Sequence, residues 1–190
     1  ANAHLYGMDL ENLRNKETFD KGNEALIKAL ELNPKLANDP EFVNLAINAA
    51  FHNYNAAITS FNAEDYITSF NEFGNVITYV GNKPSSKFTE AYSAIDTMRA
   101  ASQFYQGKSK INMEEYAEAE AILTELVGNK NLGQDNLYYE LITIAEKTKN
   151  NDNRLKYINM GIKQFPKDEN FVNFELNFYI ETKQYPIIIE

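Results

Sequence analysis

Apolar residues recur along this chain at helical spacing, i, i+3, i+4 and i+7, and strand-like alternation is scarce. Stop and start signals cut the periodic segments into helices. Pro34 in "ELNPK" ends one, and Asp39-Pro40 opens the next with a cap followed by a first-turn proline. Asn62, followed by Asp65, is read as capping a helix that ends near Gly81 to Pro84, and Ser85 or Ser86 starts another. Asn112 with Glu115 has the spacing of a capping box, Asn standing in the Ser/Thr place. Asn150 to Asp152 and Pro166 to Asp168 supply the last boundaries. The pattern predicts about nine helices on short loops, with a tenth beginning at the end. Short loops favour antiparallel neighbours, hence stacked hairpins.

Within this pattern one motif recurs. In "FDKGNEALIKALELNP" an aromatic, Phe19, opens the helix. Gly22 and Ala29 are its small residues, Leu26 the bulky one, and Pro34 the terminator. "DYITSFNEFGNVI" places Tyr66, Ser69, Phe73 and Val76 at the same offsets, and "EYAEAEAILTEL" places Tyr116, Ala119, Leu123 and Leu126. A fourth copy has Tyr138, Leu141, Ile142 and Ala145, with Arg154 and Gly161 at the small-residue places of its second helix. A fifth has Leu176, Tyr179 and Tyr185. The motif resembles the tetratricopeptide repeat. That resemblance implies an all-α, right-handed solenoid of antiparallel hairpins over residues 1–190, a single domain. Its copies run roughly 3–36, 37–84, 85–130, 134–167 and 168–190, the last incomplete. Small residues let paired helices approach, and bulky ones fill the gap to the next hairpin. The anchors Phe19, Tyr66 and Tyr116 lie 47 and 50 residues apart, against about 34 in the family. The first helices of copies two and three, about Pro40–Phe61 and Ser86–Lys110, are therefore expected to be over-long.

Composition narrows the function. The 190 residues are 44% hydrophobic and 24% charged, with a formal charge of -9. This balance repels nucleic-acid phosphates and anionic membranes and favours a neutral or basic partner. No apolar run approaches the roughly 18 residues of a spanning helix. Without cysteine there is no disulfide, thiol nucleophile or thiolate metal site. The opening "ANAHLYGMDL" has neither an initiator Met nor an apolar signal core, and reads as a processed or trimmed start.

Several local patterns invite chemistry. His52 sits in "AAFHNYNAAI" with no second ligand at metal spacing, and reads as structural. "GKS" in "YQGKSK" lacks the earlier glycine and the preceding strand of a phosphate loop; Lys108 and Lys110 read instead as a basic helix end. Glu114, Glu118 and Glu125 share a face, read as solvated surface. Asn170, Asn173 and Asn177 align on one helix, and Asn44, Asn48, Asn55 and Asn62 on another. Asn is a poor mid-helix residue, and its amide both donates to and accepts from an extended peptide. An Asn-rich chain also aligns some by composition alone. A carboxylate clamp of the family's kind would need Lys or Arg on successive first helices. Only Asn55 in "YNAA" matches, while Gly7, Glu11, Ala101 and Tyr105 stand elsewhere, so chaperone-tail binding is not expected.

The resulting expectation is a non-catalytic interaction or scaffold module that needs no cofactor or metal. A peptide or partner helix would lie in the groove lined by first helices. Phe51, Tyr54, Phe61, Phe104 and Tyr139 would give apolar contact, and Asn48, Asn55, Asn170, Asn173 and Asn177 polar pairing. The alternative is carbohydrate or small-ligand binding in a bacterial envelope protein of this fold, which favours periplasm or envelope over cytoplasm. The closing "YPIIIE" places Tyr185 at the aromatic anchor. Ile187, Ile188 and Ile189 are then expected to begin a second helix, covered by further repeats or by a partner chain.

Overall fold

The computed structural model describes residues 16–81 and 89–184. The described residues are helical, with no strand among them. Eight α-helices follow in order: α1 (Lys16–Leu32), α2 (Pro40–Asn62), α3 (Tyr66–Gly81), α4 (Thr89–Asn112), α5 (Tyr116–Thr124), α6 (Gln134–Lys147), α7 (Asn151–Gln164) and α8 (Glu169–Glu181). A 3-10 turn, Pro34–Asn38, links α1 to α2. The chain divides into two compact units, residues 1–109 and 110–190.

The boundaries follow from local chemistry. Asp39 caps α2, its carboxylate accepting from the Glu41 and Phe42 amides, and Pro40 takes the first turn, where no amide is needed. Asn150 and Asp168 cap α7 and α8 in the same way. Two expected caps differ. Asn62 remains in the last turn of α2, and Asp65 takes the cap of α3, accepting from the Thr68 amide at 3.1 Å. Asn112 is the last residue of α4 and Glu115 is the N-cap of α5, without a side-chain bond to the α5 amides. The anticipated capping box cannot form, because its Asn is spent inside the preceding helix. The boundaries expected at Ser85 or Ser86, and at Tyr185, lie outside the described residues.

The turns after α2, α4, α6 and α8 share one backbone geometry. Glu64, Glu114, Lys149 and Lys183 adopt φ of 61°, 61°, 55° and 59°, the left-handed region usually left to glycine. At Glu64 the amide donates to the Phe61 carbonyl, and the next amide, Asp65, to Ser60. Glu114/Glu115, Lys149/Asn150 and Lys183/Gln184 repeat both bonds. This double closure satisfies carbonyls that a helix end leaves orphaned. After three of the turns a helix begins two residues on, at Tyr66, Tyr116 and Asn151.

In the first unit α2 and α3 pack as an antiparallel pair. Its core joins Leu26, Ala49, Ala50, Val76 and Val80 to Ile95 and Met98. Small buried residues allow the close approach. Ser69 on α3 is fully buried, its hydroxyl donating to the Ala57 carbonyl of α2 at 3.0 Å. In the second unit α6, α7 and α8 pack in series around Leu137, Leu141, Ile142, Ile158 and Phe171, none of which is exposed. Gly161 lets α8 close on α7: a Cβ there would meet the Phe171 ring at 2.2 Å. Gln134 secures the loop before α6, accepting from the Gly128 amide at 2.8 Å and donating to the Leu126 and Asn129 carbonyls.

Candidate functional site

The first unit contains a groove between α2 and α4 enclosing about 650 Å³. Phe51 and Tyr54 line it from α2. Ser93, Ala94, Thr97, Met98 and Ala101 line it from α4. No lining residue is charged, and the Thr97 hydroxyl is spent on the Ser93 carbonyl of its own helix at 3.1 Å. The walls therefore offer mainly rings, methyls and a thioether, with the Ser93 and Tyr54 hydroxyls among them.

A network of rings fixes the α2 wall. Tyr54 meets fully buried Phe73 edge-on at 5.5 Å and Tyr105 at 6.5 Å, and Phe73 stacks on Tyr105 at 5.2 Å. Phe61 joins through Tyr105 at 5.4 Å, and Phe104 lies edge-on to Tyr105 at 5.9 Å. The Lys108 ammonium sits 5.7 Å from the Phe104 ring centre and 6.0 Å from that of Phe61. Burial, reinforced by Tyr105, pushes the Tyr54 hydroxyl above the ordinary tyrosine range, so it stays a neutral phenol. Phe51 projects freely from this network at 48% exposure. Asn48 and Asn55, three residues before it and four after it, are exposed on the same helix.

The remaining candidates divide. Phe61 is half-buried, and Phe104 is buried at 8% and packed against Tyr105. In the second unit Tyr139 is half-buried against Phe171 at 4.9 Å, and its hydroxyl donates to the Asp168 carboxylate. Asn170 donates to the Tyr139 oxygen at 3.1 Å and to Asp168 at 3.0 Å. Both side chains thus belong to the α8 cap. Burial and then the Asp168 bond raise the Tyr139 pKa, and the Tyr139 bond first of all lowers that of Asp168. Asn173 and Asn177 are exposed on α8. The repeated turns reveal a shared frame: Tyr54, Phe104, Tyr139 and Asn173 each stand ten residues before Glu64, Glu114, Lys149 and Lys183 respectively.

The discarded motifs have plain structural places. Lys110 closes α4 and pairs with Glu115 and Glu118, which raise its pKa. Glu120 accepts from the Tyr157 hydroxyl at 2.7 Å and from Asn153 at 2.8 Å, joining α5 to α7. The acidic helix is thus partly consumed by pairing. His52 is exposed on α2. Among the described residues no group of three or more His, Cys, Asp or Glu is placed to hold a metal, and no helix is long and apolar enough to cross a membrane.

Sequence reasoning did not single out Ser93, Ala94, Thr97 or Met98 as groove residues. Their signal is faint. Ala94, Thr97 and Ala101 recur at i, i+3 and i+7, small residues on one face that leave room beside the facing helix.

Arg154 is buried on α7, its guanidinium pairing with Glu181 of α8 and, at 3.7 Å, with Glu146 of α6, above the Phe178 ring at 5.7 Å. The bond from Arg154 holds the Glu181 carboxyl below the ordinary glutamate range. A depressed carboxylate stabilises the fold above its unfolded pKa, and that contribution is lost as pH falls through the folded value. Glu181 is 53% exposed, so the contribution is small, roughly 0.5–1 kcal/mol. Glu181→Gln is expected to melt below the parent at pH 7, with the gap closing in steps from about pH 5 downward. Melts followed by circular dichroism check this, and a gap independent of pH would remove the assigned role.

No protein-family model matches the chain, and no curated protein matches it.

Proposed function

We propose that this chain is a tetratricopeptide-like helical-repeat module, non-catalytic, that binds a peptide or a partner helix along its first helices. The observation that carries the reading is the apolar groove between α2 and α4. It is built from two first-helix aromatics, Phe51 and Tyr54, with Asn48 and Asn55 beside them. The repeated left-handed turns support the repeat register, and 34 residues separate Lys149 from Lys183, the spacing of the family. In this reading an apolar side chain of the ligand enters between Phe51 and Met98 while the Asn48 and Asn55 amides pair with backbone. The groove is uncharged, so the preference for a neutral or basic partner comes from the net charge of -9 acting at long range.

An exposed ring beside amides also suits a sugar face, so carbohydrate binding in an envelope protein is the second reading. One experiment separates the two: the purified chain is probed on a random 15-residue peptide array and on a glycan array. Peptide binding that falls about tenfold with Phe51→Ala, as expected for loss of a central aromatic anchor, supports the first reading. Glycan binding with the same sensitivity moves the assignment to the second, and binding indifferent to Phe51 removes the groove from the function. Asn173→Ala with Asn177→Ala, at unchanged helicity, is expected to weaken binding if the α8 amides share the surface; unchanged binding assigns that stripe to composition.

A further inference from the structure

Helix α2 carries no Asp, Glu, Lys or Arg between Glu41 and Glu64, in a chain that is 24% charged. Across the groove, the charges within the lining stretch of α4 are Asp96 and Arg99, which pair with each other at 3.9 Å. Arg99 also donates to the Val80 carbonyl. A charged group entering between these walls would lose its water without meeting a free counter-charge, a far larger cost than burying an amide. The groove therefore matches an uncharged occupant.

Its hydroxyls are not equivalent. That of Thr97 donates to the Ser93 carbonyl of its own helix. The Tyr54 phenol is half-buried, and burial pushes it above the ordinary tyrosine range. Yet its hydroxyl has no hydrogen-bond partner among the described residues. Phe73 at 5.5 Å and Tyr105 at 6.5 Å hold the ring edge-on, so packing rather than a bond aims the hydroxyl. A partly dry hydroxyl with no partner inside the protein is open to one from outside.

Resting on the peptide reading above, we propose that the groove selects a peptide with an uncharged, apolar anchor side chain. Tyr54 is its specificity-determining residue, donating from its hydroxyl to a main-chain carbonyl beside that anchor. The walls imply the carbonyl: an anchor suited to rings, methyls and a thioether brings no acceptor of its own, so the ligand's main chain supplies it. Because the phenol is fixed before binding, the bond costs little ordering when it forms. Discrimination comes from what the groove refuses. A charged anchor loses its water, and a ligand that covers Tyr54 without an acceptor strands the hydroxyl.

The random peptide array supplies the probe. Its Phe51-sensitive binders are expected to share an uncharged apolar anchor, and Lys or Glu at that position should weaken binding roughly tenfold or more. Tyr54→Phe keeps the ring and removes the hydroxyl. It is expected to weaken the best array peptide about five- to tenfold, the scale of one hydrogen bond. Thr97→Val deletes a groove hydroxyl that is already spent, and should stay within about twofold of the parent. Replacing the peptide's amides by esters, one at a time, weakens each carbonyl as an acceptor. One ester beside the anchor is expected to cost the parent about fivefold and the Tyr54→Phe protein nothing further. Isothermal titration reads the affinities, and circular dichroism confirms that the variants are folded. Parent-like binding by Tyr54→Phe, with Phe51→Ala still weakened, would overturn the role of Tyr54 and leave the peptide reading standing. Charged anchors among the Phe51-sensitive binders would overturn the selection in the same way. An array on which no peptide binds, or none depends on Phe51, would remove both.

Discussion

Gly161→Ala is expected to destabilise the second unit by about 3 kcal/mol, the upper end for overpacking a core. The added methyl would sit 2.2 Å from one Phe171 ring carbon and 2.3 Å from another. Phe171 has no exposed surface into which to retreat. Rings of Tyr138, Tyr139, Phe165 and Phe174 surround it, so relief requires α8 to move away from α7. A fall in Tm of about 6–12 °C follows for a chain of this size. Combining the variant with Phe171→Leu provides a check: the double variant is expected to lose less than the sum of the two singles, since the smaller side chain makes room. Additive losses would show that the methyl is accommodated elsewhere.

Phe73→Ala is expected to cost about 3–5 kcal/mol, the usual range for deleting a fully buried phenylalanine. The effect reaches the groove. Phe73 holds Tyr54 on one side and stacks on Tyr105 on the other, so its loss frees the α2 wall to change rotamer. Denaturant melts should show the stability loss. If the variant is refolded at low temperature, binding to a groove ligand should weaken even though residue 73 touches no ligand. Phe73→Leu, which keeps most of the volume, is expected to recover most of both. Normal binding by a folded Phe73→Ala protein would separate the ring network from the groove.

The helical character was legible because it rests on periodicity and on caps whose chemistry is local: Asp39-Pro40, Asn150 and Asp168 could be read from letters. The failed cap at Asn112 shows the limit. Whether an asparagine sits before a helix or in the last turn of the previous one depends on where that previous helix stops, and α4 stops by a backbone turn at Glu114. The four left-handed turns carry no glycine to advertise them. Glu, Glu, Lys and Lys adopt that conformation under the constraint of the flanking helices, so the shared geometry is written in no shared letter. The Asn170 contacts were not legible for a related reason: its amide partners, Tyr139 and Asp168, meet only through tertiary packing. Phe51 and Tyr54, singled out from sequence as aromatics, do line the groove. The opposing wall was not legible, because small residues on α4 make a groove by leaving space.

Helices α2 and α4 are 23 and 24 residues long, whereas α6 and α8 have 14 and 13. Measured from their turns, most of the groove lies in the extra length: Ser93, Ala94, Thr97 and Met98 precede the point at which a helix as short as α6 would begin. The same stretch of α4 also closes the core, where Ile95 and Met98 are buried, so one face of the added length packs while its edge lines the groove. The added length of α4 thus supplies most of the wall that faces Phe51 and Tyr54, so the groove can change by growth or trimming at the start of one helix while the packed ends beside the turns stay as they are.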